Sequence, residues 1–155
     1  SSVRQGEPYE LRIRVANRGF ASCPTSRTLD LAYATKSGHY IYAPGVGEDF
    51  DVRKFYPDIV AKQADGVEGN EIVAQATAPM APGKHLLVVM FPEGKADKGL
   101  VPAKKAGAAT NAPSGPPPGA DARRYIRFAN RDAPHWVSSD HLCAGAVLGE
   151  IEITR

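Results

Sequence analysis

Strict alternation of apolar and polar residues marks the clearest strand of this chain. In residues 9–16, Tyr9, Leu11, Ile13 and Val15 are separated by charged residues. A period of two is typical of an antiparallel strand with one buried face and one wet face. We therefore expect these four side chains to point into the core.

Short runs of the same kind recur between turns that are rich in glycine and proline. Residues 84–91 are almost continuously apolar, which predicts a central strand buried on both faces. No stretch combines a convincing 3.6-residue period with helix caps. We predict an all-β fold, an antiparallel β-sandwich of seven or eight strands that is immunoglobulin-like or jelly-roll-like. The predicted strands are 9–16, 28–34, 40–42, 52–56, 71–77, 84–91, 124–129 and 147–153.

Residues 93–122 interrupt this pattern with a long segment rich in proline, glycine and alanine. Such composition is typical of a low-complexity loop. The length of 155 residues suits one domain, so we interpret 1–155 as a single β-sandwich domain with 93–122 inserted in it. An ordered loop of this kind needs something to hold it, and a neighbouring molecule or domain is one candidate.

Charge and hydropathy exclude some partners. The 19 basic and 17 acidic residues leave a formal charge of +2, which gives no strong reason to expect nucleic acid. No apolar run approaches the roughly 18 residues of a membrane-spanning helix, so we predict no membrane span. The chain starts at Ser1 without an initiator methionine or signal peptide, which indicates a processed chain or an excised fragment.

Two cysteines, Cys23 and Cys143, leave two alternatives open. They are either two free, buried thiols or one disulfide that closes a loop over most of the chain. The disulfide would stabilise the fold by about 4–5 kcal/mol in the chain-entropy model. A secreted setting would favour it.

No arrangement of residues predicts catalysis. Clustered oxygens at Glu48, Asp49 and Asp51 are the one candidate for calcium, and a solvated acidic loop is the alternative. His141 and Cys143 lack the third group that would orient them as a nucleophile pair. We therefore predict a domain that is not an enzyme and that holds no cofactor.

Aromatic side chains are the candidates for ligand contact, because a flat ring covers the apolar face of a pyranose. Trp136, the only tryptophan, either closes one end of the core or serves as a stacking platform. Tyr40 and Tyr42 share one face of a strand, where they bind a sugar, contact a partner or pack at an edge. The candidate hydrogen-bonding residues are Arg131, Asp132, Asp140 and His141.

Several short segments also occur in a familiar order. They are Val15-Ala16-Asn17-Arg18-Gly19-Phe20-Ala21, Asp51-Val52-Arg53, Ala81-Pro82-Gly83-Lys84-His85, Tyr125-Ile126-Arg127-Phe128-Ala129-Asn130, Trp136 and Leu148-Gly149. Together they resemble an uncharacterised family of β-sandwich domains that commonly follow a TIM-barrel domain of glycoside-hydrolase type in secreted proteins. His85 departs from the tyrosine of that pattern. The resemblance implies an accessory or binding module.

The resulting prediction is a noncatalytic accessory or carbohydrate-binding module of an extracellular or cell-surface protein, with a polysaccharide or glycan as its ligand. The alternative is a structural domain of an extracellular assembly, which contacts neighbouring protein subunits through the 93–122 arm.

Overall fold

The chain is all-β in the part that a computed structural model describes, which comprises residues 1–15, 28–46, 70–92, 115–116, 119–125 and 134–155. These ranges contain eight strands and one three-residue 3-10 helix, Ala122–Arg124. No helix within them is long and apolar enough to cross a membrane. The strands are β1 Ser2–Arg4, β2 Pro8–Val15, β3 Asp30–Ala34, β4 Tyr40–Ala43, β5 Asn70–Thr77, β6 Gly83–Met90, β7 His135–Val137 and β8 Ala144–Thr154.

Six of these strands form one sheet and two form another. The large sheet has the order β1-β8-β6-β3-β4, and β7 pairs with β8 as well. All its pairs are antiparallel except the short parallel pair of β1 with β8. In the small sheet, β2 and β5 are antiparallel over their full length, with Pro8 opposite Thr77 and Val15 opposite Asn70. The predicted turn at 78–83 therefore carries the chain from one sheet to the other.

A hydrophobic core joins the two sheets. The small sheet contributes Ile13 and Ile72, and the large sheet contributes residues such as Leu31, Val89 and Ile151. The other apolar positions of β2, which alternation assigned to the inward face, are partly buried against the same core. The alternation of apolar and polar residues thus identifies the face of β2 that packs against the large sheet.

A second hydrophobic cluster covers the opposite face of the large sheet. Ala32 on β3 and Val88 and Met90 on β6 belong to it, together with Trp136 and Tyr125. Strand β6 lies between β3 and β8 and contributes residues to both clusters. The prediction that 84–91 is a central strand buried on both faces is therefore confirmed.

Most of the predicted strands are present in the structure. Those at 9–16, 28–34, 40–42, 71–77, 84–91 and 147–153 are confirmed to within a few residues, and 52–56 lies outside the described residues. Of the predicted strand 124–129, the start is wrong, because Arg124 ends the 3-10 helix and Tyr125 caps it, and 126–129 lies outside the described residues. Asp121 caps that helix by accepting a hydrogen bond from Arg123 N, which favours a turn there over an extended start.

Strand β8 approaches β6 closely at Gly145. A Cβ atom at this position would lie 2.2 Å from Val89 O and 2.7 Å from Met90 Cγ. The oxygen belongs to the backbone of a paired strand, so it cannot move aside without shifting the ladder. Only glycine fits at this contact.

We expect Gly145→Ala to lower the free energy of unfolding by about 1–3 kcal/mol, because the added methyl group overpacks the contact between β8 and β6. Urea denaturation followed by fluorescence measures the change. Gly115→Ala is the matched control, since a Cβ atom at Gly115 would meet nothing within 4 Å. A loss at Gly145 no larger than at Gly115 would contradict the close approach.

Candidate functional site

An open groove of about 700 Å³ lies where two segments of the chain meet. One segment holds the 3-10 helix and the other holds β7, the turn after it and the start of β8. Within the described ranges, no three His, Cys, Asp or Glu side chains are grouped so that they could hold a metal ion. The described lining residues are Ala120, Asp121, Ala122, Arg123, Tyr125, His135, Val137, His141, Leu142 and Ala144.

Polar groups of the groove come from both segments. The Asp121 carboxylate accepts hydrogen bonds from Arg123 Nε at 3.0 Å and from Arg123 Nη2 at 2.6 Å. This pair brings opposite charges together, so it adds little net charge to the groove. His135 and His141 are exposed and line the same groove. A neutral imidazole both donates and accepts a hydrogen bond, which suits a ligand with hydroxyl groups.

Apolar surface lies between these polar groups. Val137 is 39% exposed and Leu142 is 38% exposed, although both are large aliphatic residues. Ala144 and Tyr125 also line the groove but are buried. The groove can therefore offer aliphatic contact and hydrogen bonds to one ligand.

The turn at 138–143 carries His141 and Leu142 to the groove, and Asp140 holds that turn. The Asp140 carboxylate accepts hydrogen bonds from Ser138 Oγ at 2.5 Å, from Leu142 N at 3.0 Å and from Tyr40 Oη at 2.8 Å. Burial acts to raise the pKa of Asp140, but these hydrogen bonds outweigh it, so the pKa lies below its ordinary value.

His141 has an unusual backbone conformation within this turn. Its φ angle is 57°, the only positive value at a non-glycine position in the described residues. A left-handed conformation is uncommon for a residue with a side chain, and functional sites are enriched in such outliers. His141 N donates to Ser138 O at 3.0 Å, and His141 O accepts from Ala122 N at 3.0 Å.

The hydrogen bond from Ala122 N to His141 O also involves the end of the predicted insertion 93–122. Most of that segment lies outside the described residues. Its end at Ala122 is held by the domain itself, through the hydrogen bond to His141 O and the burial of nearby Tyr125 in the second cluster. No neighbouring molecule is needed to fix this end.

The turn between β3 and β4 contacts the 138–143 turn. Ser139 N donates to Gly38 O at 3.0 Å. Gly38 has a φ of 91°, and a Cβ atom there would lie 2.6 Å from Ser139 N, so this approach requires glycine. Trp136 Nε1 donates to Thr35 O at 3.2 Å in the same region.

Trp136 and Tyr42 are core residues, which corrects the alternative that made them stacking platforms. They are 6% and 5% exposed, so neither ring offers a face to a sugar. Trp136 packs edge-to-face on Tyr40 with ring centroids 5.7 Å apart. Tyr40 and Tyr42 do share one face of β4, but it is the face that packs into the second cluster. Tyr40 is half-buried and its hydroxyl binds Asp140.

Cys143 is a free and buried thiol. Tyr125 Oη donates to its Sγ atom at 3.6 Å, and burial raises the pKa of the thiol. The disulfide with Cys23 is therefore not formed in this structure, and Cys23 itself lies outside the described residues. Of the two alternatives, the free thiol describes Cys143, because its side chain is enclosed by the second cluster.

Several other candidate residues also lie outside the described ranges. They include two predicted hydrogen-bonding residues, Arg131 and Asp132, and the acidic residues considered for calcium, Glu48, Asp49 and Asp51. The structure brings His141 into the groove lining and Asp140 to the turn beside it, while Asp121, Arg123 and His135 were not among the predicted ligand-binding residues. Sequence patterns gave no signal for these three, because their positions depend on how the 3-10 helix and β7 are placed against each other.

Asp30 is a buried carboxylate that sequence reasoning also missed, and its place inside an apolar run was the available signal. It is 4% exposed. It accepts hydrogen bonds from the Tyr42 hydroxyl and from Gly45 N, the latter at 2.8 Å. Next to Gly45, Val46 N donates to Leu29 O and Val46 O accepts from Gln75 N. Asp30 therefore fixes a segment that bridges the two sheets.

Burial raises the pKa of Asp30 above its ordinary value, although its hydrogen bonds oppose that shift. The folded state therefore keeps the Asp30 proton to a higher pH than the unfolded state does. Linkage then makes this contribution to stability fall as the pH rises from about 4 through the folded pKa. The direction is opposite to that of a carboxylate whose pKa is lowered by folding.

We expect Asp30→Asn to cost about 1–3 kcal/mol at pH 4, where the raised pKa favours the protonated acid: the acid hydroxyl can still accept a hydrogen bond, whereas the amide nitrogen of asparagine cannot. The cost should shrink toward pH 7, since the wild type alone loses the Asp30 contribution. Urea denaturation of both proteins between pH 4 and pH 7 measures this. Asp140→Asn is the control and should show no such decline, because a lowered pKa leaves Asp140 ionised over this range. A cost that grows with pH would contradict the assignment.

No family model matches this chain, and no curated protein or solved structure is significantly similar to it. The resemblance to sandwich domains that follow TIM-barrel domains therefore stays a prediction.

Proposed function

We propose that this chain is a noncatalytic binding module of an extracellular or cell-surface protein and that it binds a saccharide in the groove. One observation carries the proposal: the groove combines exposed aliphatic side chains with hydrogen-bonding groups from two segments. The module would be an antiparallel sandwich, immunoglobulin-like or jelly-roll-like. The core shared by the two sheets supports that architecture.

The chemistry of a pyranose matches this lining. Its C–H face is apolar and suits Val137 and Leu142, while its hydroxyl groups need both donors and acceptors. His141 can supply both from its imidazole ring, and the paired charges of Asp121 and Arg123 favour no net charge on the ligand. Aliphatic contact is weaker than stacking on an exposed ring. We therefore expect modest affinity for one site, which a polymer with many copies of the sugar would raise through multivalency.

The left-handed backbone of His141 supports its role as a ligand-contacting residue. A glycine would adopt this conformation at no steric cost, so histidine at φ 57° costs the fold some stability. Its side chain lies at the groove, where hydrogen bonding to a ligand would offset that cost.

A panel of cellohexaose, xylohexaose, mannohexaose and chitohexaose tests the proposal by calorimetry. We expect at least one to bind, and His141→Gly to weaken that binding about tenfold, the equivalent of about 1.4 kcal/mol. The same variant should stabilise the fold by about 0.5–1 kcal/mol through relief of the left-handed conformation. His39→Ala is the control, because His39 is exposed but does not line the groove. Equal losses from both variants, or no binding to any hexaose, would reject this site.

Assembly through protein contacts is the second candidate. Val137 and Leu142 are both exposed and line the same groove, which favours it, because apolar side chains of a partner could contact them there. The groove also contacts the end of the 93–122 arm at Ala122. On this hypothesis, a neighbouring subunit would fill the groove instead of a saccharide.

Sedimentation velocity separates this candidate from the first. An assembly domain should associate as its concentration rises, and Leu142→Ser should weaken the association at least fivefold by removing apolar contact. Val73→Ser is the matched control, since Val73 is also exposed but lies on β5 away from the groove. A monomer at all concentrations would count against assembly of this chain with itself.

A further inference from the structure

The Asp140 carboxylate is already engaged within the protein. Oδ1 accepts hydrogen bonds from Ser138 Oγ and Leu142 N, and Oδ2 accepts one from Tyr40 Oη. A carboxylate has about four lone-pair sites, so three of them are directed at its own turn and at β4. Asp140 is also absent from the lining of the groove, whereas its neighbours His141 and Leu142 belong to it.

These bonds hold residues that precede and follow His141 in the chain. Ser138 and Leu142 flank the turn, and both are bound to the same oxygen atom of Asp140. Ser138 Oγ also accepts from Cys143 N at 3.0 Å, which closes the turn at its far end. A short loop with this many internal bonds has few conformations open to it, so it can hold His141 at a positive φ.

Tyr40 ties this turn to the body of the domain. Its hydroxyl reaches Asp140 across 100 residues of chain, and its ring packs on Trp136 in the second cluster. Asp140 is therefore anchored to a strand of the large sheet, and not only to its own loop. The position of His141 is then set relative to the sheet.

We propose that Asp140 is a positioning residue, which does not contact the ligand and holds His141 in the left-handed conformation that presents it to the groove. This role rests on the proposed function of the groove. It reassigns Asp140, which the sequence alone suggested as a direct hydrogen-bonding partner of a sugar. Tyr40 and Ser138 act through Asp140 in the same way.

A double-mutant cycle tests the role in the full chain. Calorimetry with the tightest-binding of the four hexaoses compares the wild type, Asp140→Ala, His141→Ala and the double variant. We expect Asp140→Ala to weaken binding about tenfold in the wild type and less than twofold in the His141→Ala background. Asp140→Asn keeps one acceptor oxygen and should recover part of the affinity. A tenfold loss from Asp140→Ala in both backgrounds would show direct contact and overturn the proposal.

A measurement of the His141 conformation without ligand tests the positioning role separately from saccharide binding. The NMR coupling constant and carbon shifts of His141 report its φ angle, and amide exchange reports the hydrogen bond of Leu142. In Asp140→Ala we expect the left-handed signature to disappear and the Leu142 amide to exchange at least tenfold faster. Asp140→Asn serves where the alanine variant does not fold.

The positioning role of Asp140 and the saccharide-binding function fail on different results. If His141 keeps its positive φ in both Asp140 variants, the positioning role is wrong whether or not a hexaose binds. If φ changes as expected but no hexaose binds the wild type, the proposed saccharide function fails and the control of His141 by Asp140 stands.

Discussion

Burial of both faces of the large sheet is the constraint on which the described structure depends. Residues of β3 and β6 alternate between two hydrophobic clusters, so each face needs a cover. The small sheet of β2 and β5 covers one face. The cover of the other face includes single large side chains, of which Trp136 and Tyr125 are the clearest. Aromatic residues that suggest a ligand platform in the sequence are thus used for packing.

The groove lies beside the side chains that cover this second face of the large sheet. Tyr125, which follows the 3-10 helix, and Trp136, on strand β7 of the same sheet, both pack into the second cluster, and residues next to them line the groove. Polar groups within this layer have partners: the Asp30 carboxylate binds the Tyr42 hydroxyl, and Cys143 Sγ accepts from Tyr125. These contacts hold the layer in one arrangement, because a buried polar group without a partner is costly.

On the proposed function, recognition and stability compete within the 138–143 turn. His141 occupies a backbone conformation that a glycine would adopt more easily. The hydrogen bonds around Asp140 offset this cost, and the close approach of Gly38 to Ser139 supports them. These bonds lie at the edge of the groove, which supports the role proposed for His141 there.

Local patterns predicted the long strands well, because alternation over five or more residues fits a strand with one buried face and does not fit a helix. They did not predict β1 and β7, each of three residues, which are too short to show a period and form because β8 offers them a pairing edge. Nor did they identify the groove, whose polar residues Asp121 and His135 come from separate segments.

The sequence by itself determined that the chain is all-β, which side chains of β2 point inward and that β6 is central. These properties follow from the spacing of apolar residues along one strand, and spacing is a local property. The tertiary structure alone decided that Trp136 lies in the core, that Cys143 is a free thiol and that Tyr40 binds Asp140. Each of these depends on which distant segments cover the second face of the large sheet, and a pairing across 100 residues leaves no periodic signal in either segment.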